Sequence, residues 1–210
     1  MRVLIQSIFC SLVIIAGLAV ATGAAAKPAV TSSEQTAAKL CIENASDYAE
    51  MRDLCEAALA ERDLSPALRA DLLTVLGDAM IGLDQYEAAR GHLAEAMSLA
   101  PEDVDPRNTM AWALYFEDRD AEAYDLFAST LNMRPTDEGY AGLAASGYAA
   151  GALSIDEALK QIDTALIIDP EYRWAIRQKG WMLHDVDRWE DAVAAFDRAL
   201  EILPDDANAL

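Results

Sequence analysis

The sequence is poor in basic residues, cysteine, glycine and proline, and each shortage excludes a class of protein. Sixteen Lys and Arg stand against 36 Asp and Glu in 210 residues, a formal net charge of −20, whereas a nucleic-acid-binding surface needs a basic stripe. Ten Gly and seven Pro are too few for a collagen-like or low-complexity chain. Three Cys are too few for a disulfide-rich scaffold. The 53% of hydrophobic residues excludes intrinsic disorder and predicts a buried core.

Motifs for catalysis and metal binding are also missing from the sequence. The two histidines, His92 and His184, do not belong to a Cys/His/Asp/Glu cluster with ligand spacing. The sequence has no HExxH, GxSxG, GxxxxGKS/T or GxGxxG motif, so the common zinc, nucleophile and phosphate sites are not indicated. Its many acidic residues are scattered, as on a solvated face. We therefore expect neither an enzyme nor a bound cofactor or metal.

Residues 1–26 have the pattern of a secretory signal peptide. Met1 and Arg2 precede an apolar run that carries no charge before Lys27 and ends in small residues at 24–26. We expect cleavage before Lys27, with a cut after Ala24 as the second choice. Residues 27–33 would form a short flexible lead-in, and in a Gram-negative host the protein would be periplasmic. An uncleaved anchor is the alternative, since the run is long enough to span a bilayer.

Two cysteines remain after cleavage, Cys41 and Cys55. An exported chain meets an oxidising compartment, where an even pair of cysteines favours a disulfide. The flanking segments look helical, so this bridge would join a helical pair over residues 34–64. A reactive thiol is the alternative, but no CxxC motif supports it.

A period of about 34 residues dominates the rest of the chain. Proline recurs at almost constant spacing, and apolar columns precede each proline by twelve, eight, five and two positions. The columns alternate Ala with large apolar residues at helical spacing, which predicts one buried stripe on a helix that ends near the proline. The four prolines are Pro101, Pro135, Pro170 and Pro204.

Start signals indicate two helices in each period. Asp84, Ser154 and Asp187 each have a carboxylate three positions later, which is the pattern of a helix N-cap. Ser65–Pro66 and Asp105–Pro106 mark earlier helices, because proline is favoured in the first helical turn. The repeating unit is therefore a helix–turn–helix pair.

This pattern resembles the tetratricopeptide repeat (TPR) family. Matching consensus positions include Leu76, Gly77, Ala89, Leu93 and Pro101 in one unit, and Gly180, Trp189, Ala192, Phe196 and Pro204 in the last. The resemblance implies an all-α, right-handed α-solenoid with about four repeats over residues 70–206, namely 70–103, 104–137, 138–172 and 173–206. The pair at residues 34–64 would shield the first repeat. The third unit matches least well, because an extra residue sits in its turn near Gly151.

TPR proteins act as binding scaffolds, and their first helices line a concave groove. The family's groove positions fall on Asp71, Thr74 and Asp78 in the first unit and on Gly139, Gly142 and Ser146 in the third. The residues that we single out for binding a peptide are Trp112, Tyr115, Phe116, Ser146, Trp174, Arg177, Trp181 and His184.

Small residues between two aromatic clusters predict a pocket for an apolar or aromatic anchor of a partner. Arg177 would be available for a carboxylate or a backbone carbonyl of that partner. Packing of Trp112 and Trp181 between adjacent repeats is the alternative. Tyr86 and Trp189 fall on core positions of the repeat.

The signal-peptide pattern and the TPR resemblance together imply an exported adaptor that binds a protein or peptide segment and assembles or localises a complex. The acidic charge favours a partner with a basic surface, although it would also serve solubility alone. Two alternatives stay open. One is a self-associating structural protein that uses its C-terminal edge, and the other is a chaperone-like accessory in envelope assembly or secretion.

Overall fold

The structure, a computed structural model, describes residue 41, residues 47–61 and residues 63–202. This part of the chain is all-helical, as expected, and forms a helical solenoid. The proposed signal peptide and lead-in, the start of the N-terminal pair and Pro204 lie outside the described residues. The nine described helices are α1 (Tyr48–Leu59), α2 (Pro66–Gly82), α3 (Tyr86–Leu99), α4 (Asp105–Phe116), α5 (Asp120–Met133), α6 (Asp137–Ala149), α7 (Ile155–Ile168), α8 (Arg173–Asp185) and α9 (Trp189–Ile202).

The helices stack in chain order. They form four antiparallel pairs, and each pair packs on the next. The pairs are α2 with α3, α4 with α5, α6 with α7, and α8 with α9. Helix α1 packs on α2, and the first helices α2, α4 and α6 also contact one another in sequence. Each unit therefore buries its apolar face against its neighbours, as a solenoid requires. None of the described helices combines the length and hydropathy of a membrane span.

The apolar columns of the repeat form the core of this stack. The alanines at the first of these columns are buried: Ala89, Ala123, Ala158 and Ala192. The large residues one helical turn later are also buried in the first three pairs, at Leu93, Phe127 and Ile162. Their counterpart in the last pair, Phe196, is only partly buried, because no later helix of the described chain covers α9.

The turns inside the pairs depend on a left-handed residue. Asp84, Asp118 and Asp187 have φ angles of 59°, 61° and 60°, and Gly151 has a φ of 68° in the third turn. Asp tolerates this conformation better than most residues, and Gly adopts it without steric cost. The expected N-cap role of Asp84 is therefore wrong, since α3 begins after Gln85 without a side-chain cap.

Two other helix starts follow the sequence prediction. Ser65 accepts a hydrogen bond from the Leu68 backbone nitrogen at 3.2 Å, and Pro66 opens α2. Ser154 forms a reciprocal capping box with Glu157 at the start of α7. These contacts satisfy amide groups that have no partner inside the helix.

The disulfide joins Cys41 to Cys55, with their Cα atoms 5.0 Å apart. Both cysteines are fully buried, and Cys55 belongs to the face of α1 that also carries Met51 and Ala58 in the core. The bridge therefore ties residue 41 to the helix that covers the first pair.

One glycine permits an unusually close approach between helices. A Cβ atom on Gly142 of α6 would overlap the ring of Phe127, and Phe127 is fully buried in α5. A rigid, enclosed ring cannot move aside cheaply, so this contact fixes how the second and third pairs pack.

We expect Gly142→Ala to lower the free energy of unfolding by about 2 kcal/mol, because the added methyl group overpacks the Phe127 site. Gly91→Ala is the matched control, since a Cβ there meets nothing within 4 Å. The control should raise stability by about 0.5–1 kcal/mol through helix propensity. Urea unfolding measures both changes, and equal effects of the two substitutions would contradict the packing account.

Candidate functional site

The structure separates the predicted groove residues into a buried set and an exposed set. The buried residues are Trp112, Tyr115, Ser146, Trp174 and Arg177, of which Arg177 is only 1% exposed. Phe116 is partly buried, whereas Trp181 and His184 are exposed. Most of the predicted aromatic surface is therefore used inside the solenoid.

A contact between two tryptophans joins pairs that are not adjacent in the chain. Trp112 of α4 and Trp174 of α8 have ring centroids 4.5 Å apart in an edge-to-face arrangement. Helix α6 lies between them in the stack and carries Gly139, Gly142 and Ser146 at its groove positions. These small residues allow the two indoles to meet.

The same small residues do not leave the pocket that the sequence predicted. The ring of Phe127 occupies the space above Gly142 and lies 5.0 Å from the Trp112 ring. The packing alternative therefore describes Trp112, whose indole belongs to the core between the repeats. The predicted pocket is absent because large aromatic side chains from other helices fill the space that the glycines leave.

Glu138 fixes the orientation of the Trp112 indole. Trp112 Nε1 donates to Glu138 Oε1 at 2.8 Å, and Asn108 Nδ2 lies 3.5 Å from Glu138 Oε2. Thr130 Oγ1 in turn donates to Asn108 Oδ1 at 2.8 Å. A polar network thus runs from α5 through α4 to α6 beside the tryptophan pair.

The pKa of Glu138 is raised to about 7, mainly by burial. The nearby Asp78 and Asp105 carboxylates contribute to this rise, whereas the hydrogen bonds from Trp112 and Asn108 oppose it. Burial likewise raises the pKa of Asp78 to about 6. Asp78 and Glu138 are far apart in the sequence, yet their charges interact because α2 and α6 face the same groove.

We call the surface formed by Asp71, Asp78, Asp105 and Glu138 the acidic groove. The pKa of Asp71 is raised by its burial and by the charges of Asp103 and Asp105. Arg134 Nη2 lies 2.6 Å from Asp105 Oδ1, but within the described part of the chain no cationic side chain forms an ion pair with Asp78. Sequence reasoning placed Asp71 and Asp78 in the groove. It missed Glu138, the residue directly before Gly139. Glu138 belongs to the third unit, where the extra residue in the turn makes the alignment with the repeat uncertain by one position.

An exposed aromatic edge lies on the last pair and consists of Trp181, His184 and Trp189. His184 has its ring centroid 5.8 Å from Trp181 and 4.7 Å from Trp189. Trp181 is 47% exposed and Trp189 is 49% exposed. The expectation that Trp189 belongs to the core is wrong, because nothing in the described chain follows α9 to cover it.

These surfaces offer groups that a binding partner could contact. Among the described residues, no group of three His, Cys, Asp or Glu side chains converges as metal ligands would. The acidic groove offers carboxylates to a cation, and the aromatic edge offers flat apolar area.

Similarity to known proteins agrees with this architecture. A tetratricopeptide repeat family model matches residues 80–147. TTC0263, a thermophilic TPR protein of Thermus thermophilus, superimposes with a TM-score of 0.72 at 17% identity, over 84% of this chain and 94% of that one. No curated protein matches the chain.

Two further solved structures share the fold. MamA of Desulfovibrio magneticus RS-1 superimposes with a TM-score of 0.57 at 15% identity, over 83% of this chain and 96% of that one. YrrB, described as a TPR protein with an unusual peptide-binding site, has a TM-score of 0.51 at 20% identity, over 77% of this chain and 81% of that one.

The raised pKa values predict that the protein is more stable in mild acid than in mild base. Between about pH 5 and pH 8 the folded chain binds more protons at Asp78 and Glu138 than the unfolded chain does, so the free energy of unfolding falls as the pH rises. At pH 8, Glu138→Gln should raise the free energy of unfolding by about 1–2 kcal/mol, because the neutral amide avoids burying a charge and still accepts the hydrogen bond from Trp112.

The measurement is urea unfolding at pH 5 and pH 8 for the native chain, Glu138→Gln and the exposed control Glu190→Gln. The Glu138 variant should show a smaller difference between the two pH values, and the control should match the native chain. A native chain that is less stable at pH 5 would contradict the assignment.

Proposed function

We propose that the chain, which has the fold of TPR proteins and matches the repeat model at residues 80–147, is an exported scaffold whose acidic groove binds a basic segment of a partner protein. Its general role as a protein-interaction scaffold is supported by the repeats matched at residues 80–147 and by the solved structures that share the fold. The partner's chemistry, the groove as its site and export are the parts that we propose. The role requires no chemical step.

The coupled carboxylates of Asp78 and Glu138 carry the proposal. Each is held in a partly desolvated position where burial opposes its charge. A lysine or arginine side chain of a partner would neutralise these charges and form charge-assisted hydrogen bonds. A cationic side chain therefore gains more binding free energy in this groove than beside a solvated carboxylate.

The net charge of the chain supports the same partner. A charge of −20 attracts basic segments over several ångströms and speeds their encounter with the groove. Near the other end of the stack, the aromatic edge offers area for apolar side chains of the same segment. YrrB, whose description names a peptide-binding site, supports peptide binding as a use of this fold.

The last pair favours a second candidate function, self-association of copies through the C-terminal edge. Val193 of α9 is 58% exposed, whereas its counterpart Leu159 in α7 is buried. The position is thus covered in the third pair and open in the fourth. A second copy that covered this edge would make the protein a structural element rather than an adaptor.

Binding should depend on charge in the acidic groove. With the exported chain as bait for crosslinking in native envelope extract, Asp78→Lys should reduce capture of the partner at least tenfold, because it replaces an attraction with a repulsion. Trp181→Ala should reduce capture less, because it removes one exposed contact.

The control for this experiment is Asp125→Lys, an equal charge change at an exposed position of α5 that belongs to neither groove. Circular dichroism and thermal melting must first show that each variant is folded. Equal capture by the native chain and by Asp78→Lys would refute the groove as the site. Recovery of the protein alone would favour self-association.

Export predicts a defined mature chain. The intact mass of the protein purified from its native host should correspond to a chain that begins at Lys27 and has lost two hydrogens to the Cys41–Cys55 disulfide. Reduction and alkylation should then label two cysteines. A mass that still includes residues 1–26 would support the uncleaved anchor instead.

A further inference from the structure

A second groove opens on the side of α8 opposite to the tryptophan pair. At 100° per residue, Ile176, Lys179 and Leu183 form one stripe of α8, and Trp174, Arg177 and Trp181 form the opposite stripe. The first stripe, together with α7 and α9, encloses a groove of about 500 Å³. We call it the outer groove.

The floor of the outer groove is apolar. It consists of Leu159 and Leu166 from α7, Ile176 and Leu183 from α8, and Ala194 and Ala195 from α9. The alanines leave room, because larger residues at these positions of α9 would fill the space between it and α7. A volume of this size is within the range of sites that bind small ligands or short peptide segments.

The rim of the outer groove concentrates positive charge in an acidic protein. It carries four basic residues, Lys160, Lys179, Arg188 and Arg198, and three acidic residues, Asp156, Asp163 and Asp191. Lys160 and Lys179 are the only lysines in the described part of the chain. The groove therefore has a formal charge of +1, whereas the whole chain has −20.

Most of these charges are already matched within the rim. Lys179 Nζ lies 2.6 Å from Asp163 Oδ1, and Arg188 Nη2 lies 2.6 Å from Asp191 Oδ2. Arg198 Nη2 donates to the Pro170 carbonyl at 2.6 Å. The Lys160 ammonium makes neither a salt bridge nor a hydrogen bond with another described residue, so it is the cation that remains available to a ligand.

Exposed apolar side chains extend the groove at one end. Ile167 is 80% exposed and lies on the same stripe of α7 as Lys160 and Asp163 by helical geometry. Ile202 is 37% exposed and lies on the same stripe of α9 as Asp191. The C-terminal ends of both rim helices therefore present isoleucine beside the groove, which is typical of an interaction surface.

We propose that the outer groove binds an amphipathic helical segment of a partner protein that carries a row of apolar side chains flanked by an acidic residue. The apolar row packs on the leucine and alanine floor and on Ile167, and the acidic residue pairs with Lys160. A helix that lays its apolar face into a groove between two helices is an established mode of recognition. An anionic lipid surface fits less well, because it would place several negative charges against Asp156, Asp163 and Asp191, whereas the acidic residue of the helix meets Lys160 alone.

The outer groove and the acidic groove thus select opposite charges on opposite faces of the solenoid. The inference does not rest on the function proposed for the acidic groove, since the two surfaces share no residue. One chain would then hold a basic segment on one face and an acidic amphipathic helix on the other.

The test uses a fluorescein-labelled synthetic helix of about four turns, with leucines at three- and four-residue spacing and flanking glutamates, followed by fluorescence anisotropy against the native chain. Ala194→Trp, which fills the groove, should weaken binding at least tenfold. Lys160→Glu should do the same, and should regain binding when the peptide carries lysines in place of the glutamates. Gly91→Trp adds the same bulk at the equivalent position of the first pair and should leave binding unchanged.

Three results would overturn the proposal. They are equal binding by the native chain and Ala194→Trp, absence of binding to the glutamate peptide, and loss of binding in Asp78→Asn, which would place the peptide in the acidic groove. Sedimentation velocity adds a fourth: a dimer of the native chain that Ala194→Trp abolishes would identify a second copy as the occupant.

Discussion

Close approach of neighbouring helices is the constraint on which the rest of this structure depends. The repeating alanines and the glycines of the first helices remove side-chain volume where helices meet, and a large residue from the partner helix fills each gap. Gly77 against Leu93 and Gly180 against Phe196 show this within pairs. Gly142 against Phe127 shows it between pairs. Because interiors pack at crystal-like density, these contacts fix the angle between successive units, and that angle brings distant residues to one surface.

The acidic groove is a consequence of this geometry. Asp78 and Glu138 belong to helices that are distant in the sequence, and only the stacking of α2, α4 and α6 brings their charges within reach of each other. The Trp112–Trp174 contact links the second and fourth pairs directly beside this groove. Glu138 takes part in both features, since it accepts from the Trp112 indole and faces the groove. The carboxylate of Glu138 thus both orients a core aromatic side chain and contributes to the charge of the groove.

The sequence predicted the repeat, the helical pairs and the stripe of buried residues, because each depends on local spacing and on a period that recurs along the chain. It did not predict which groove residues are covered. Trp112 and Trp181 occupy equivalent positions, yet one is buried against Trp174 and the other is exposed. The difference depends on residues two pairs away, and no local pattern contains that information. Likewise, the Asp84 and Asp187 patterns match a helix cap, but the chain reversal requires a left-handed residue at the same place.

A solenoid differs from a compact globular domain because each helix pair exposes two faces along its whole length. The first helices bury aromatics and carry carboxylates on the inner face, whereas α8 turns Lys179 outward to pair with Asp163 of α7. Introducing or replacing a charged residue on this outward stripe of α8 changes the stability of the fold little, since the stripe borders an open groove rather than the core. The outer face can therefore acquire a charge pattern of its own without disturbing the Gly–Phe contacts that set the stack. This independence is the physical reason why one acidic chain can present a groove of the opposite sign.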